Sequence, residues 1–294
     1  MADLKILTLS MIRLILFCLL LPSGASAQAI NMGAPLNSSE IDAEPTFSAD
    51  GKTVYINCVG REGRAGSDIC VSYLDNNVWS EPSVVKEVSS DVYSDFEPLL
   101  SPDGNQLYIM SDRPGGKGGM DIWVSDWMGS AWAEPRNLEG PFNTPYMDHC
   151  IYFTGEGWDR AYWTSTRPGG FGANDIWSSE KINGSWQDAV NLGPGVNSEF
   201  DEHHSLPSQD GNSLYVTAVR ADGYGGEDIY VTHQDSNGNW TELVNLGPEV
   251  NTETSDRCPA FSPDFSLFYF DSERSGGQGG KDLWYIPYDN VKDI

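Results

Sequence analysis

Between residues 95 and 144 the chain alternates short apolar-rich runs with tight polar turns: FEPLL then SPDG, QLYIMS then RPGGKGG, MDIWVSDW then MGSA, and finally WAEPRNL. Each run has strand length, and tyrosine, isoleucine, valine and tryptophan sit where extended backbone favours them. The turns are marked by residues with separate physical reasons to be there. Proline presets φ, aspartate bonds its own backbone, and glycine accepts φ > 0. The pattern predicts four short antiparallel strands. Such a meander cannot bury both faces alone, so it needs neighbours.

The chain supplies them by repetition. The start of the third strand recurs as Asp68-Ile69-Cys70, Asp121-Ile122-Trp123, Asp175-Ile176-Trp177, Asp228-Ile229-Tyr230 and Asp282-Leu283-Trp284, in steps of 53, 54, 53 and 54 residues. Trp79, Trp132, Trp186 and Trp240, taken as openers of the fourth strand, keep the same step, as do the first-turn acids Asp50, Asp103, Glu156, Asp210 and Asp264. Four strands per repeat at this period predict an all-β, five-bladed β-propeller, with repeats over about 40–90, 91–144, 145–198, 199–252 and 253–290. The fifth repeat stops after its third strand. Residues 31–38, NMGAPLNS, match the blade-ending 245–252, NLGPEVNT, so the N-terminal segment is expected to supply the last blade's outer strand and close the ring. Blade three departs from the pattern with Thr154-Gly155-Glu156-Gly157, and blade one carries Gly60-Arg61-Glu62-Gly63-Arg64 in place of the RPGG form.

Residues 1–27 stand outside the repeat. Lys5 and Arg13 precede the apolar run Leu14–Leu21, and Ala25-Ser26-Ala27 offers a small-residue cleavage site before Gln28, the pattern of a secretory signal peptide. The apolar run is shorter than the roughly 20 residues a membrane span needs. The expectation is an exported periplasmic or secreted protein, monomeric, with 28–294 forming one propeller and no room for a second domain. The whole chain carries a formal charge of −26, and residues 28–294 stand near −27 because Lys5 and Arg13 outweigh Asp3. That balance disfavours nucleic acid and anionic lipid as partners and suits cations or basic protein patches.

SPDG followed by LY, then RPGG-x-GG-x-DIW, then W-x-x-P-x-NLG-x-x-VNT resembles the WD40-like repeat of TolB-type bacterial propellers, across residues 31–290. The resemblance implies a β-propeller, an exported bacterial protein, and a role in protein interaction. TolB-type proteins with six blades and an extra N-terminal domain differ from this chain, so their partners do not carry over, and fold does not settle function.

The candidate chemistry is sparse. GxSxG, HExxH and CxxC are absent from the sequence. The glycine-rich loops join strand to strand rather than strand to helix, so they do not read as phosphate cradles. Arg113, Arg167, Arg220 and Arg274 lie eight residues before Asp121, Asp175, Asp228 and Asp282, which suggests a salt bridge across each hairpin, with Gly60 at that place in blade one. The same register puts Cys58 opposite Cys70, a disulfide candidate in an oxidising compartment.

At the start of each innermost strand come Asp42, Asp95, Asp148, Glu202 and Asp256, and two residues later Glu44, Glu97, Cys150, His204 and Cys258. Simple alternation puts both sets on one strand face, either facing the central channel as ligand-binding candidates or, for the first set, pinning loop amides. Cys150, His204 and Cys258 form a candidate site for zinc or another divalent metal, no other cofactor being indicated. A Cys150–Cys258 disulfide and plain packing are the alternatives. Three functions remain open: a non-catalytic module binding protein or glycan, a glycan-processing enzyme using channel carboxylates, and a metal-binding propeller.

Overall fold

The computed structural model describes residues 28–294, so the signal-peptide reading of 1–27 lies outside the described residues. The chain forms five antiparallel sheets in a ring, a five-bladed β-propeller. The innermost strands are Asp42–Phe47, Asp95–Leu100, Asp148–Thr154, Asp201–Pro207 and Asp256–Phe261. The last blade stacks Ile30–Asn31 outside Asp282–Pro287, with Ile30 opposite Tyr285 and Asn31 opposite Trp284. The N-terminal segment therefore closes the ring. Leu36 is fully buried, and the Asn37 side chain bonds both the amide and the carbonyl of Leu283.

That last contact recurs and explains the VN-type blade endings. Asn143, Asn197 and Asn251 bond the amide and carbonyl of Ile122, Ile176 and Ile229, and the Ser89 hydroxyl does the same for Ile69. In every blade one buried polar side chain accepts a third-strand amide in the core and also donates to the carbonyl of the same residue, which accepts a main-chain amide of the outer strand as well.

The core lies between blades. Tyr55, Ile69 and Val71 of blade one pack on Leu107, Ile109 and Trp123 of blade two, and Tyr162 and Ile176 of blade three on Leu214, Val216 and Tyr230 of blade four. Burying each such side chain contributes about 1.5–3 kcal/mol, so the blades depend on their ring neighbours.

Three expectations of register are corrected. The outer-strand pairs are Ser83–Val84, Arg136–Asn137, Val190–Asn191 and Val244–Asn245, beyond the tryptophans. Trp132 and Trp240 instead make isolated bridges to Trp127 and Gln234, extending the preceding hairpin. Asp121 lies opposite Ser111 rather than Arg113, because the hairpin loop is two residues longer than the eight-residue spacing implied. By the same shift Cys58 lies opposite Asp68, and Cys70 opposite Ile56. Cys58 and Cys70 are thus diagonal neighbours on one face, and their sulfurs are bonded with 5.9 Å between Cα atoms.

The glycine-rich loops serve packing. A Cβ on Gly118 would fall onto the carbonyl of Tyr146 in the next blade, and Lys117 and Gly118 turn their amides onto the Asp121 carboxylate.

Candidate functional site: the central channel

One backbone feature organises the channel. Glu44, Glu97, Cys150, His204 and Cys258 all have positive φ, from 33° to 57°. At each, the pairing with the second strand slips by one residue, a β-bulge repeated in five blades. Non-glycine residues rarely adopt this conformation, and each instance costs on the order of 1 kcal/mol or more. Bulges re-aim side chains, and here the bulge overrides simple alternation.

The two sets of candidate residues therefore part. Asp42, Asp95, Asp148, Glu202 and Asp256 do not line the channel cavity. Their carboxylates accept the amides of Ser38, Ser90, Thr144, Ser198 and Thr252 at 2.5–2.9 Å. Each also faces an arginine of its own blade: Arg61 at 2.8 Å, Arg113 at 2.5 Å, Arg167 at 2.8 Å, Arg220 at 3.8 Å and Arg274 at 2.6 Å. These arginines do not close the hairpin onto Asp121 and its equivalents, as the spacing had suggested. Arg61 takes the role in blade one, one residue beyond Gly60. Several guanidinium groups lie over aromatic rings, Arg167 between Trp163 and Trp177, a desolvated cation–π contact that further fixes them. Burial pushes Asp42, Asp95 and Glu202 upward in pKa, opposed by their loop and arginine partners.

The bulge residues Glu44, Glu97, Cys150 and His204 floor a cavity of about 220 Å³ that runs toward the first-turn end of the ring. Its walls are prolines and aromatics, among them Phe47, Tyr152, Phe153, Phe261 and Phe265. Glu44 accepts the amide of Glu97 at 2.7 Å, and Glu97 accepts the amide of Cys150 at 2.5 Å. The second Glu97 oxygen lies 2.8 Å from the Cys150 thiol, 3.4 Å from His204 Nε2 and 3.5 Å from His149 Nδ1. Cys258 Sγ sits 3.2 Å from the same His204 nitrogen.

The two glutamates are held in opposite states. Burial, with Glu97 and Asp271 nearby, raises Glu44 to about 8. Burial alone would raise Glu97 too, but hydrogen bonds and charge from His149 and His204 outweigh it and hold that carboxyl well below its usual range. Burial lowers His204, whereas contact with Glu97 overcomes burial and raises His149. Burial also raises both thiols, Cys150 and Cys258, which are free.

Beside the bulges stand residues that the repeat alignment held but did not single out: His149, His203 and Arg257, one position before the bulge in blades three to five. His203 Nδ1 lies 3.3 Å from Glu227, and Arg257 bridges Glu227 at 3.0 Å and Asp271 at 3.2 Å. Those partners outweigh the burial of Glu227 and hold it at about 2, while burial raises Asp271 to about 6. The signal was three basic side chains at one repeat position of a strongly acidic chain.

Among the described residues two groups of side chains have ligand atoms all within 4.8 Å: Glu97, Cys150 and His204, and Glu44, His204 and Cys258. The expected trio of Cys150, His204 and Cys258 is thus divided between two groups sharing His204, each completed by a glutamate.

No family model matches the chain, and no curated protein sequence does. Solved structures do. TolB from Acinetobacter baumannii is 16% identical, with 84% of this chain and 54% of that one covered at a TM-score of 0.53. This chain spans about half the length of that TolB. The GH43_1 enzyme from Xanthomonas citri, solved with xylose, is 11% identical over 89% of this chain and 90% of that one, with a TM-score of 0.55. The α-L-arabinofuranosidase PaAbf62A from Podospora anserina, solved with cellotriose, is 13% identical over 90% and 94%, with a TM-score of 0.53. At such identities the likeness is one of propeller fold, shared by TolB and glycosidase propellers alike.

Proposed function

We propose that this chain is an exported propeller of the TolB-type WD40-like repeat family that works as a non-catalytic binding module, receiving a cationic segment of a partner protein at the first-turn end of its channel. The carrying observation is the pairing of an aromatic-walled cavity with exposed acids around it. Asp50 and Asp264 border one flanking groove, with Phe47, and Glu156 and Asp210 another, with Phe153 and Phe265. The three aromatics also line the cavity. All five first-turn acids are exposed. Asp50, Asp103, Asp210 and Asp264 are kept ionised by hydrogen bonds within their own turns, which lower their pKa values, Asp264 to about 2. Aromatic faces and carboxylates together suit an ammonium or guanidinium group, and the charge near −27 would steer a basic partner inward.

A lysine-rich peptide, titrated by calorimetry against a neutral peptide of equal length, tests this. The lysine peptide should bind more tightly, weaken with salt, and lose about tenfold in affinity or more on Asp50→Lys with Asp264→Lys. Equal binding of the two peptides would overturn the reading.

One observation favours a second reading, glycoside hydrolysis. Glu44 and Glu97 are pushed to opposite ionisation states, as an acid and its partner carboxylate require. Against it, each already accepts the next blade's main-chain amide. Release of aryl alcohol from arabinoside, xyloside or galactoside substrates, abolished by Glu44→Gln, would replace the binding reading with the enzymatic one.

A further inference from the structure

Three ligand types that rarely meet by accident converge on one imidazole nitrogen below the cavity. Glu97 Oε1 lies 3.4 Å and Cys258 Sγ 3.2 Å from His204 Nε2, and Glu97 Oε1 lies 2.8 Å from Cys150 Sγ. A tetrahedral ion with bonds of about 2.0–2.3 Å holds its ligand atoms roughly 3.3–3.8 Å apart. The Glu97–His204 distance falls inside that span, and the Cys258–His204 distance lies just below it. The shorter thiol–carboxylate distance is that of a hydrogen bond, which an ion would replace.

We propose that Glu97, Cys150 and His204 form a site for one zinc-class divalent transition ion in the propeller channel, with Cys258 beside the same imidazole able to turn into the fourth position. The donor set decides the class: thiolate and imidazole with one carboxylate suit zinc or cobalt, whereas calcium and magnesium seek oxygen cages. Charge agrees. Entry of the ion displaces the Cys150 thiol proton to solvent, so a dication meets one carboxylate and one thiolate and this three-ligand centre is neutral. When Cys258 turns in as the fourth ligand, its thiol proton is also lost to solvent and the centre carries one negative charge. Three blades contribute, and the bulges aim all three side chains at one place. The aromatic-walled cavity leads to Glu97, Cys150 and His204 and offers an entry path. The inference goes beyond the cationic-segment reading, since an ion at this depth leaves the first-turn acids free.

Cobalt(II) titration of reduced, chelator-stripped full-length protein tests the site. One ion per chain should bind, with thiolate-to-cobalt absorption in the near ultraviolet and the visible bands of a tetrahedral centre, and zinc should displace it. Cys150→Ser should remove the thiolate band, and His204→Ala should weaken binding at least about tenfold. No saturable band at micromolar cobalt, or a band and affinity unchanged in both variants, overturns the proposal. Should the variants fail to fold, alkylation of the wild type followed by peptide mapping decides. Cys150 should be protected by zinc and exposed by chelator. Equal rates in the two conditions, or recovery of a Cys150–Cys258 disulfide, count against the site. The peptide titration above uses no metal, so either proposal can fail alone.

Discussion

The carboxylate of Glu97 accepts the main-chain amide of Cys150 at 2.5 Å, and these residues stand 53 positions apart on neighbouring blades. Glu44 makes the same contact with Glu97. Each glutamate reaches across to the bulge of the next blade and satisfies an amide that the slipped register frees from its own sheet. The carboxylates of the series end at Glu97, since the next bulge residue is Cys150, and the Cys258 amide finds the Thr217 hydroxyl, at 3.3 Å. The acidic half of the channel is thus a clasp between blades.

The clasp should show in the pH dependence of stability. Glu44 has a folded pKa of about 8 against an ordinary 4.5. Between those values the folded state holds the extra proton, so stability falls as pH rises from 4.5 to 8. Glutamine keeps an oxygen for the Glu97 amide and removes the titration. Glu44→Gln should flatten the decline in melting temperature over that window and melt higher than wild type at pH 8. Glu97 behaves oppositely: its depressed pKa contributes stability that is present above pH 4.5 and is lost as pH falls through the folded value, so it does not blur this window. Parallel profiles for wild type and Glu44→Gln would rule the assignment out.

The arginines should rank by geometry. Arg113 meets the wholly buried Asp95 at 2.5 Å and the Val88 carbonyl at 2.6 Å, whereas Arg220 stands 3.8 Å from Glu202. Removing one member of a close buried pair costs about 3–5 kcal/mol, since the other charge is left without a partner. Arg113→Ala should therefore lower stability in denaturant melts by clearly more than Arg220→Ala. Equal losses would show that the ion pair is not what Arg113 contributes.

Asn143→Ala tests the blade-ending asparagine. It leaves the Ile122 amide without its acceptor in the core, whereas the Ile122 carbonyl keeps the Leu138 amide. One such unpaired buried donor costs about 1–3 kcal/mol, and a loss of that size is expected. Hydrogen exchange at Ile122 should accelerate relative to other third-strand amides. Unchanged protection there would sink the argument.

Deleting residues 28–38 removes the outer strand of the last blade together with Leu36 and Asn37. The Leu283 amide and carbonyl then lose their partner, and the interface of blades five and one loses a buried side chain. The melting temperature should fall by many degrees, and readdition of a peptide with the sequence of 28–39 should restore part of it. A truncated chain that melts like the intact one would show that ring closure contributes nothing.

The five blades and their closure by residues 31–38 were legible from the residues alone, because each repeat must bury its faces on the next and so keeps its turn and strand signals in phase. The unequal residues at the bulge position, Glu44, Glu97, Cys150, His204 and Cys258, were equally visible in that alignment. Three things were not. Pairing Arg113 with Asp121 failed because hairpin register depends on loop width, which glycines leave open, and the guanidinium instead reaches Asp95, 18 residues back. The face shared by Asp95 and Glu97 failed because a period of two assumes unbroken pleating, and the bulge is a backbone event with no residue signature of its own. The meeting of Glu97, Cys150 and His204 was out of reach for a deeper reason. Repetition along the chain tells which positions are equivalent, but which side chains touch across the axis depends on how five bulged strands tilt together. That geometry exists only once the ring has closed.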